Sequence, residues 1–153
     1  HSREMIRKPY VVGQHMYSNG VRRSEVTGFN KQGYLAKTPW LRDAERATSM
    51  TAAGARPTTE TLLAQGEIGM RGQCMSCHTA DGYRAMRRLL RERDAQAIAS
   101  ILKMLHEQPK DSPYNAFMPP LVGTHQEIDA LVVYLDDLAH PPQMSGAVAE
   151  TQK

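Results

Sequence analysis

The most regular alternation of hydrophobic and polar positions lies near the end of the chain, where it predicts an amphipathic helix. Apolar residues recur there at intervals of three and four, which is the spacing of one helix face. Thr124 and Glu127 stand three residues apart at its start, as in a capping box, and His140 before two prolines marks its end. The apolar face consists of Ile128, Leu131, Val132, Leu135 and Leu138.

The same spacing predicts two further helices upstream. The first begins after Thr58, a good N-cap residue, and the second begins after Asp94 and ends at Pro109. A glycine inside a helix costs roughly 1 kcal/mol relative to alanine, so Gly66 in the first helix indicates a close helix–helix crossing or a local kink. Tyr134 of the last helix is expected to pack against the first. The apolar positions are Leu62, Gly66, Met70 and Cys74 in the first helix, and Ile98, Ile101, Leu102 and Leu105 in the second.

The first 57 residues lack this periodicity and are predicted to form a largely irregular N-terminal extension. Residues 10–12 predict a short strand, and glycines at 13, 20, 28 and 33 interrupt the stretch after it. Thr38 before Pro39 is typical of a helix start, with the helix reaching about Ala47, and residues 51–57 are typical of a linker. The prediction therefore divides the chain into an extension at 1–57, a helical module at 58–140 and a flexible tail at 141–153.

Length and charge limit the classes of function. A chain of 153 residues is about one domain, and no run approaches the ~18–20 consecutive apolar residues of a membrane span. Residues 1–60 carry ten basic and five acidic side chains, whereas residues 61–140 carry eight and ten. This asymmetry is typical of docking to an acidic partner or to lipid headgroups, or of an ordinary solvated surface. No nucleic-acid recognition motif is present, so no nucleic-acid partner is expected.

The candidate chemistry lies in the sequence Cys74-Met75-Ser76-Cys77-His78. These are the only two cysteines, and C-x-x-C before a histidine is the pattern of c-type haem attachment. Two thiols at this spacing can each form a thioether with one vinyl group of the same porphyrin, and the histidine can then ligate the iron. A zinc site would need a second ligand pair, and a thioredoxin-like dithiol would need a βαβ context. These two sites and inert thiols remain the alternatives.

A second axial ligand is predicted at Met118. Pro119 and Pro120 come directly after it, fix φ and remove two backbone donors, so the loop that presents the sulfur is stiff. Histidine with methionine is the ligand pair that raises the haem potential in electron-transfer cytochromes. Methionine is also a common core residue, and the chain contains nine. The other candidate ligands are Met70, Met86, Met104, His106 and His125.

Taken together, these motifs resemble those of the class I, monohaem cytochromes c. Residues 58–140 are similar to that family in a helix that runs into the C-x-x-C-H motif, a later Met-Pro loop and a C-terminal amphipathic helix. The resemblance implies an all-α, small cytochrome c fold around one haem, in which the first and last helices cross. It also implies that Cys74 and Cys77 hold one covalently attached haem c, and that His78 and Met118 ligate its iron.

The function implied is single-electron transfer by an electron-transfer protein rather than an enzyme. The alternative is an open-site haem protein, in which Met118 is absent from the iron and peroxide, oxygen or nitric oxide binds or is reduced. Such a site needs a distal acid–base residue, and no credible pair is identified near Met118, so the carrier is favoured. The resemblance further implies a periplasmic or otherwise extracytoplasmic location, and redox partner proteins.

Two features bear on the partner. Residues 7–10 and 16–20 resemble the junction where a c-type cytochrome domain joins bacterial membrane quinol-oxidising proteins of the cytochrome bd-like kind. This implies a subunit or docked partner of a respiratory complex, with an integral-membrane quinol-oxidising or oxidase subunit beside it and the extension as a docking strap. Five arginines after the haem motif are predicted to neutralise haem propionates, to steer an acidic partner or simply to face solvent: Arg84, Arg87, Arg88, Arg91 and Arg93.

Overall fold

The protein is mainly α-helical in the part that the structure, a computed structural model, describes, namely residues 9–38 and 57–141. The helices in these residues are α1 (Val26–Gln32), α2 (Thr59–Gln73), α3 (Met86–Leu90), α4 (Ala95–Glu107) and α5 (His125–Ala139). A small antiparallel sheet pairs β1 (Tyr10–Val12) with β2 (Met16–Tyr17). Short 3-10 turns cover Arg23–Glu25, Leu35–Lys37 and Pro113–Ala116. The mainly helical class and the strand at residues 10–12 are confirmed.

The three long helices begin at the N-caps that the sequence predicts. The Thr58 side chain accepts a hydrogen bond from the Thr61 N–H at 3.2 Å, and the Asp94 carboxylate accepts one from the Ala97 N–H at 2.7 Å. At the start of α5 the capping box of Thr124 and Glu127 is complete. Each cap satisfies a backbone donor that would otherwise lack a partner.

Helices α2 and α5 pack against each other at Gly66. A Cβ at this position would overlap the Ala130 carbonyl oxygen and the Cβ of Tyr134, so the two backbones approach more closely than any larger residue allows. The predicted helix–helix crossing and the contact with Tyr134 are thus confirmed. Helices α3 and α4 also pack on α5, and the shared core consists mainly of Met70, Leu90, Ile98, Leu102, Leu131 and Leu135.

Residues 9–38, hereafter the N-terminal segment, pack on these helices through a second core. Their buried side chains lie with Ile68 of α2 and with Val122. The segment holds the hairpin, two 3-10 turns and α1, so it has more regular structure than the irregular extension predicted from the sequence. Its buried members are Tyr17, Val21, Phe29, Tyr34 and Leu35.

Glu127 joins the N-terminal segment to the start of α5. Its carboxylate accepts hydrogen bonds from the N–H groups of Tyr34 at 2.8 Å and Leu35 at 2.9 Å, besides that of Thr124 at 2.8 Å. The Asn30 side chain adds a bond from the Gly123 N–H at 3.1 Å. The chain division at residue 57 stays a prediction, but the N-terminal segment shares a core with the later helices.

Three of the predicted segments fall outside the described residues. The predicted helix from Pro39 to Ala47, almost all of the linker at 51–57 and the tail beyond residue 141 lie there. Among the helices that are described, none has the length and apolar character that crossing a membrane requires.

Candidate functional site

The C-x-x-C-H motif forms the turn at the end of α2. The helix ends at Gln73, and the Cys74 carbonyl then accepts hydrogen bonds from the N–H groups of Cys77 at 3.1 Å and His78 at 2.9 Å. These bonds draw the motif into one compact turn. Cys74, Cys77 and His78 all line the same cavity.

The His78 ring is held by a backbone partner. Its Nδ1 lies 3.1 Å from the Arg84 carbonyl oxygen, which can only accept, so Nδ1 carries the proton in this contact. Nε2 then keeps its lone pair, which is the form in which an imidazole ligates a metal. In metal-ligating histidines, a hydrogen bond from the ring nitrogen that does not bind the metal fixes the tautomer and the orientation of the ring.

Met118 lies at the start of a loop that is fixed at both ends. Its N–H donates to the Tyr114 carbonyl at 2.8 Å, and beyond the two prolines the Leu121 N–H donates to the Leu105 carbonyl of α4 at 3.0 Å. Gln73 then holds Val122, because its side-chain amide donates to the Val122 carbonyl and accepts from the Val122 N–H, both at 2.9 Å. The residue that ends α2 and the loop after Met118 are therefore directly joined.

The C-x-x-C-H motif and the Met118 loop line one cavity of about 240 Å³. Met118 lines it together with the cysteines and His78, although 40 positions separate Met118 from His78 in the sequence. The other walls are mainly apolar and come from α3, α4 and the Met118 loop, with Leu90, Ile98, Leu102, Leu105, Pro120 and Leu121 among them. The structure thus brings all four predicted site residues together.

The alternative ligands are placed differently. Met86, at the start of α3, also lines the cavity, whereas Met70, Met104, His106 and His125 do not. Met70 is buried in the core between the helices, and Nδ1 of His106 contacts the Leu121 carbonyl at 3.1 Å. Besides Met118, the cavity therefore offers Met86 as a thioether from the candidate set.

The electrostatics of the thiols bear on the dithiol and zinc alternatives. Burial, and to a smaller extent the neighbouring Cys77 thiol, raises the pKa of Cys74 to about 12. Cysteines that act as nucleophiles or metal ligands do so as thiolates, which a lowered pKa favours. The Cys74 thiol is instead protonated at neutral pH. Within residues 9–38 and 57–141, no group of three or more His, Cys, Asp or Glu side chains could hold a metal ion.

Of the five arginines after the motif, Arg93 lines the cavity. Its guanidinium Nε donates to the Leu89 carbonyl at 3.2 Å. Arg87 instead pairs with Asp81 at 2.6 Å and bonds the Leu138 carbonyl, which ties the chain after the motif to the end of α5. The sequence places these arginines near the site but does not distinguish the one at the cavity.

Tyr114 and Asn19 are among the cavity residues that were not predicted as site residues. Tyr114 precedes Met118 by one turn, and Asn19 comes from the N-terminal segment. Nothing in the helical patterns connects Asn19 with the C-x-x-C-H motif, because the contact depends on how the N-terminal segment packs. The only sequence feature that includes Asn19 is the resemblance of residues 16–20 to cytochrome bd-like junctions.

The residues present fit a c-type haem. Two thiols and an imidazole with a free ring nitrogen lie in one cavity with a thioether, and most of its wall is apolar, as a porphyrin requires. Arg93, which lines the cavity, supplies a positive charge that can pair with a haem propionate. Comparisons with family models, with curated proteins and with solved structures find no match to this chain.

Proposed function

We propose that this protein transfers single electrons through one covalently attached haem c, within a cytochrome c fold. The observation that carries the proposal is the cavity that Cys74, Cys77, His78 and Met118 line together. The C-x-x-C-H spacing alone leaves a zinc site or a dithiol open, whereas a thioether in the same apolar cavity is the donor expected for haem iron. When bound, the haem supplies a one-electron iron couple.

The roles of the chain's own residues are inferred from their contacts. Cys74 and Cys77 would hold the haem through thioether bonds, which prevents its dissociation. His78 would ligate the iron through Nε2, since Nδ1 donates to the Arg84 carbonyl. Met118 would be the second protein ligand of the iron, a neutral sulfur on a loop that two prolines stiffen.

The remaining cavity residues act on the surroundings of the haem. The apolar side chains of α3 and α4 would exclude water from a bound haem, which would disfavour the more positively charged oxidised state and raise the reduction potential. Arg93 is the cation at the cavity that a propionate would pair with.

The partner and compartment belong to the same proposal. Covalent haem attachment at C-x-x-C-H indicates an extracytoplasmic, for example periplasmic, protein that exchanges electrons with redox partner proteins. The resemblance of residues 7–10 and 16–20 to cytochrome bd-like junctions favours a role as a subunit or docked partner of a respiratory complex. Copurification of the tagged chain with a membrane quinol-oxidising or oxidase subunit would support that role.

The test uses two methionines of the same cavity. The chain is produced with the c-type haem attachment machinery, and the optical spectrum is recorded in both redox states. Leucine replaces methionine with little change in volume, so M118L removes the ligand while M86L is the matched control. In the oxidised protein, the methionine-to-iron charge-transfer band at the red end of the visible spectrum should be present in the wild type and in M86L. It should be absent in M118L.

Other results point elsewhere. A wild-type chain without covalently bound haem would contradict the proposal. A high-spin wild-type spectrum that M118L leaves unchanged would remove Met118 from the iron and favour the open-site alternative. Loss of the band in M86L alone would assign the ligand to Met86.

A further inference from the structure

One residue of the cavity wall, Asn19, comes from the N-terminal segment. Apart from Asn19, the described residues that line the cavity all fall between positions 73 and 135. Asn19 also lines a surface groove, together with Gly72 and Tyr34. It therefore separates the cavity from a groove on the outside of the molecule.

The loop that carries Asn19 is fixed on both sides. Tyr17 and Val21 flank it and are buried, at 7% and 4% exposure. The Tyr17 N–H donates to the Val21 carbonyl at 2.9 Å, and the Gly20 N–H donates to the Tyr17 carbonyl at 3.0 Å. Gly20 takes a φ of +82°, a conformation that glycine adopts readily. Asn19 thus has a defined position at the cavity edge.

The amide of Asn19 is oriented by one hydrogen bond. Its Oδ1 accepts from the Val21 N–H at 3.2 Å, which leaves the NH₂ group as a donor. The other amide of the cavity, that of Gln73, is used by Val122. No acceptor within the described residues takes the Asn19 NH₂ hydrogens.

We propose that Asn19 is a haem-contacting residue that closes the cavity where it adjoins the surface groove and helps to set the reduction potential. The inference rests on the proposed haem function and goes beyond it, because the cytochrome c resemblance covers residues 58–140 alone. In this role the N-terminal segment forms part of the redox site. The amide of Asn19 limits the access of water to the haem. Because the amide is neutral, it does so without placing a charge beside the haem.

A charge placed at this position tests the contact. A carboxylate beside the haem stabilises the more positive oxidised state, so N19D should shift the reduction potential downward. The control is S24D, which adds the same charge to an exposed position of the same segment that does not line the cavity. Redox titration of the full-length holoprotein measures both shifts, and S24D should show little change.

A second variant covers the case in which N19D fails to hold haem. N19A removes the amide and admits water, which also favours the oxidised state, so its potential should fall while the methionine-to-iron band persists. Shifts in N19D no larger than in S24D, or an unchanged potential in N19A, would overturn the role of Asn19 and leave the haem proposal intact. A wild-type chain without haem would overturn both.

Discussion

His140 is a single side chain that joins the end of α5 to the end of α3. Its Nε2 lies 3.0 Å from the Arg91 carbonyl oxygen, and its Nδ1 lies 3.1 Å from the Asp136 carboxylate. The Arg91 carbonyl first, and the Asp136 carboxylate second, raise the pKa of His140 above the ordinary 6.5. Both contacts are best made when both ring nitrogens carry protons.

The direction of this shift predicts a pH dependence of stability. A group whose pKa is higher in the folded protein stabilises the fold fully below its unfolded pKa of about 6.5, and this contribution is lost as the pH rises through the folded pKa. The difference in urea midpoint between wild type and H140Q should therefore be larger at pH 5.5 than at pH 8.5.

NMR titration of the imidazole provides the independent check. D136N should lower the pKa of His140 only in part, because the Arg91 carbonyl remains. An imidazole that titrates at or below 6.5 in the wild type would contradict the expectation.

Individual residues also show where sequence reasoning ends. The capping box of Glu127 is visible in the spacing, but its bonds to the Tyr34 and Leu35 N–H groups are not. The same holds for Arg93, which has the same charge as its four neighbours and differs in lining the cavity. A local pattern identifies the kind of side chain, whereas its partners depend on tertiary packing.

At the scale of elements, α2 contains two glycines with opposite expected effects. At Gly66 a Cβ would overlap Ala130 and Tyr134 of α5, whereas at Gly69 it would meet only Leu131 Cδ1 at an ordinary 3.8 Å. G66A should destabilise the fold by about 2 kcal/mol, as overpacking does. G69A should stabilise it by about 0.5–1 kcal/mol, because alanine loses less backbone entropy in a helix.

Urea unfolding of the two variants measures this difference, and each serves as the control for the other. Equal effects of G66A and G69A would show that helix propensity, and not the crossing with α5, determines the role of Gly66.

The long helices could be predicted because each carries its own signals. Thr58, Asp94 and Thr124 cap helices with periodic apolar faces, so α2, α4 and α5 can be read from local sequence. Helix α1 has only seven residues, contains Gly28 and ends before Gly33, and one buried side chain, Phe29, anchors it. Packing in the second core stabilises α1 more than its own helix propensity does. For this reason the sequence of α1 shows no helical pattern and is predicted to be irregular.

At the scale of the whole molecule, Glu127 is the main polar link between the N-terminal segment and the helices. Three N–H groups converge on its carboxylate, two of them from the N-terminal segment. Since hydrogen bonds to charged groups are the stronger ones, E127A should cost about 3 kcal/mol and lower Tm by roughly 10 °C. D129N, at an exposed carboxylate of the same helix, is the control and should change little.

Amide hydrogen exchange shows which part of the protein is destabilised in E127A. In E127A the Tyr34 and Leu35 amides should exchange faster than in the wild type, together with the amides of α1. Unchanged exchange at these two amides would contradict the link, whatever the change in Tm.

The position of these contacts along the chain has a consequence for synthesis. Asn30 and Tyr34 bond to residues 93 positions further on, so their partners are synthesised long after they are. Because a nascent chain leaves the ribosome from its N-terminus, Tyr17, Phe29 and Tyr34 emerge before Ile68 and Val122, with which they share a core. The N-terminal segment is therefore synthesised before the residues that complete its packing, and its aromatic side chains have to wait for them.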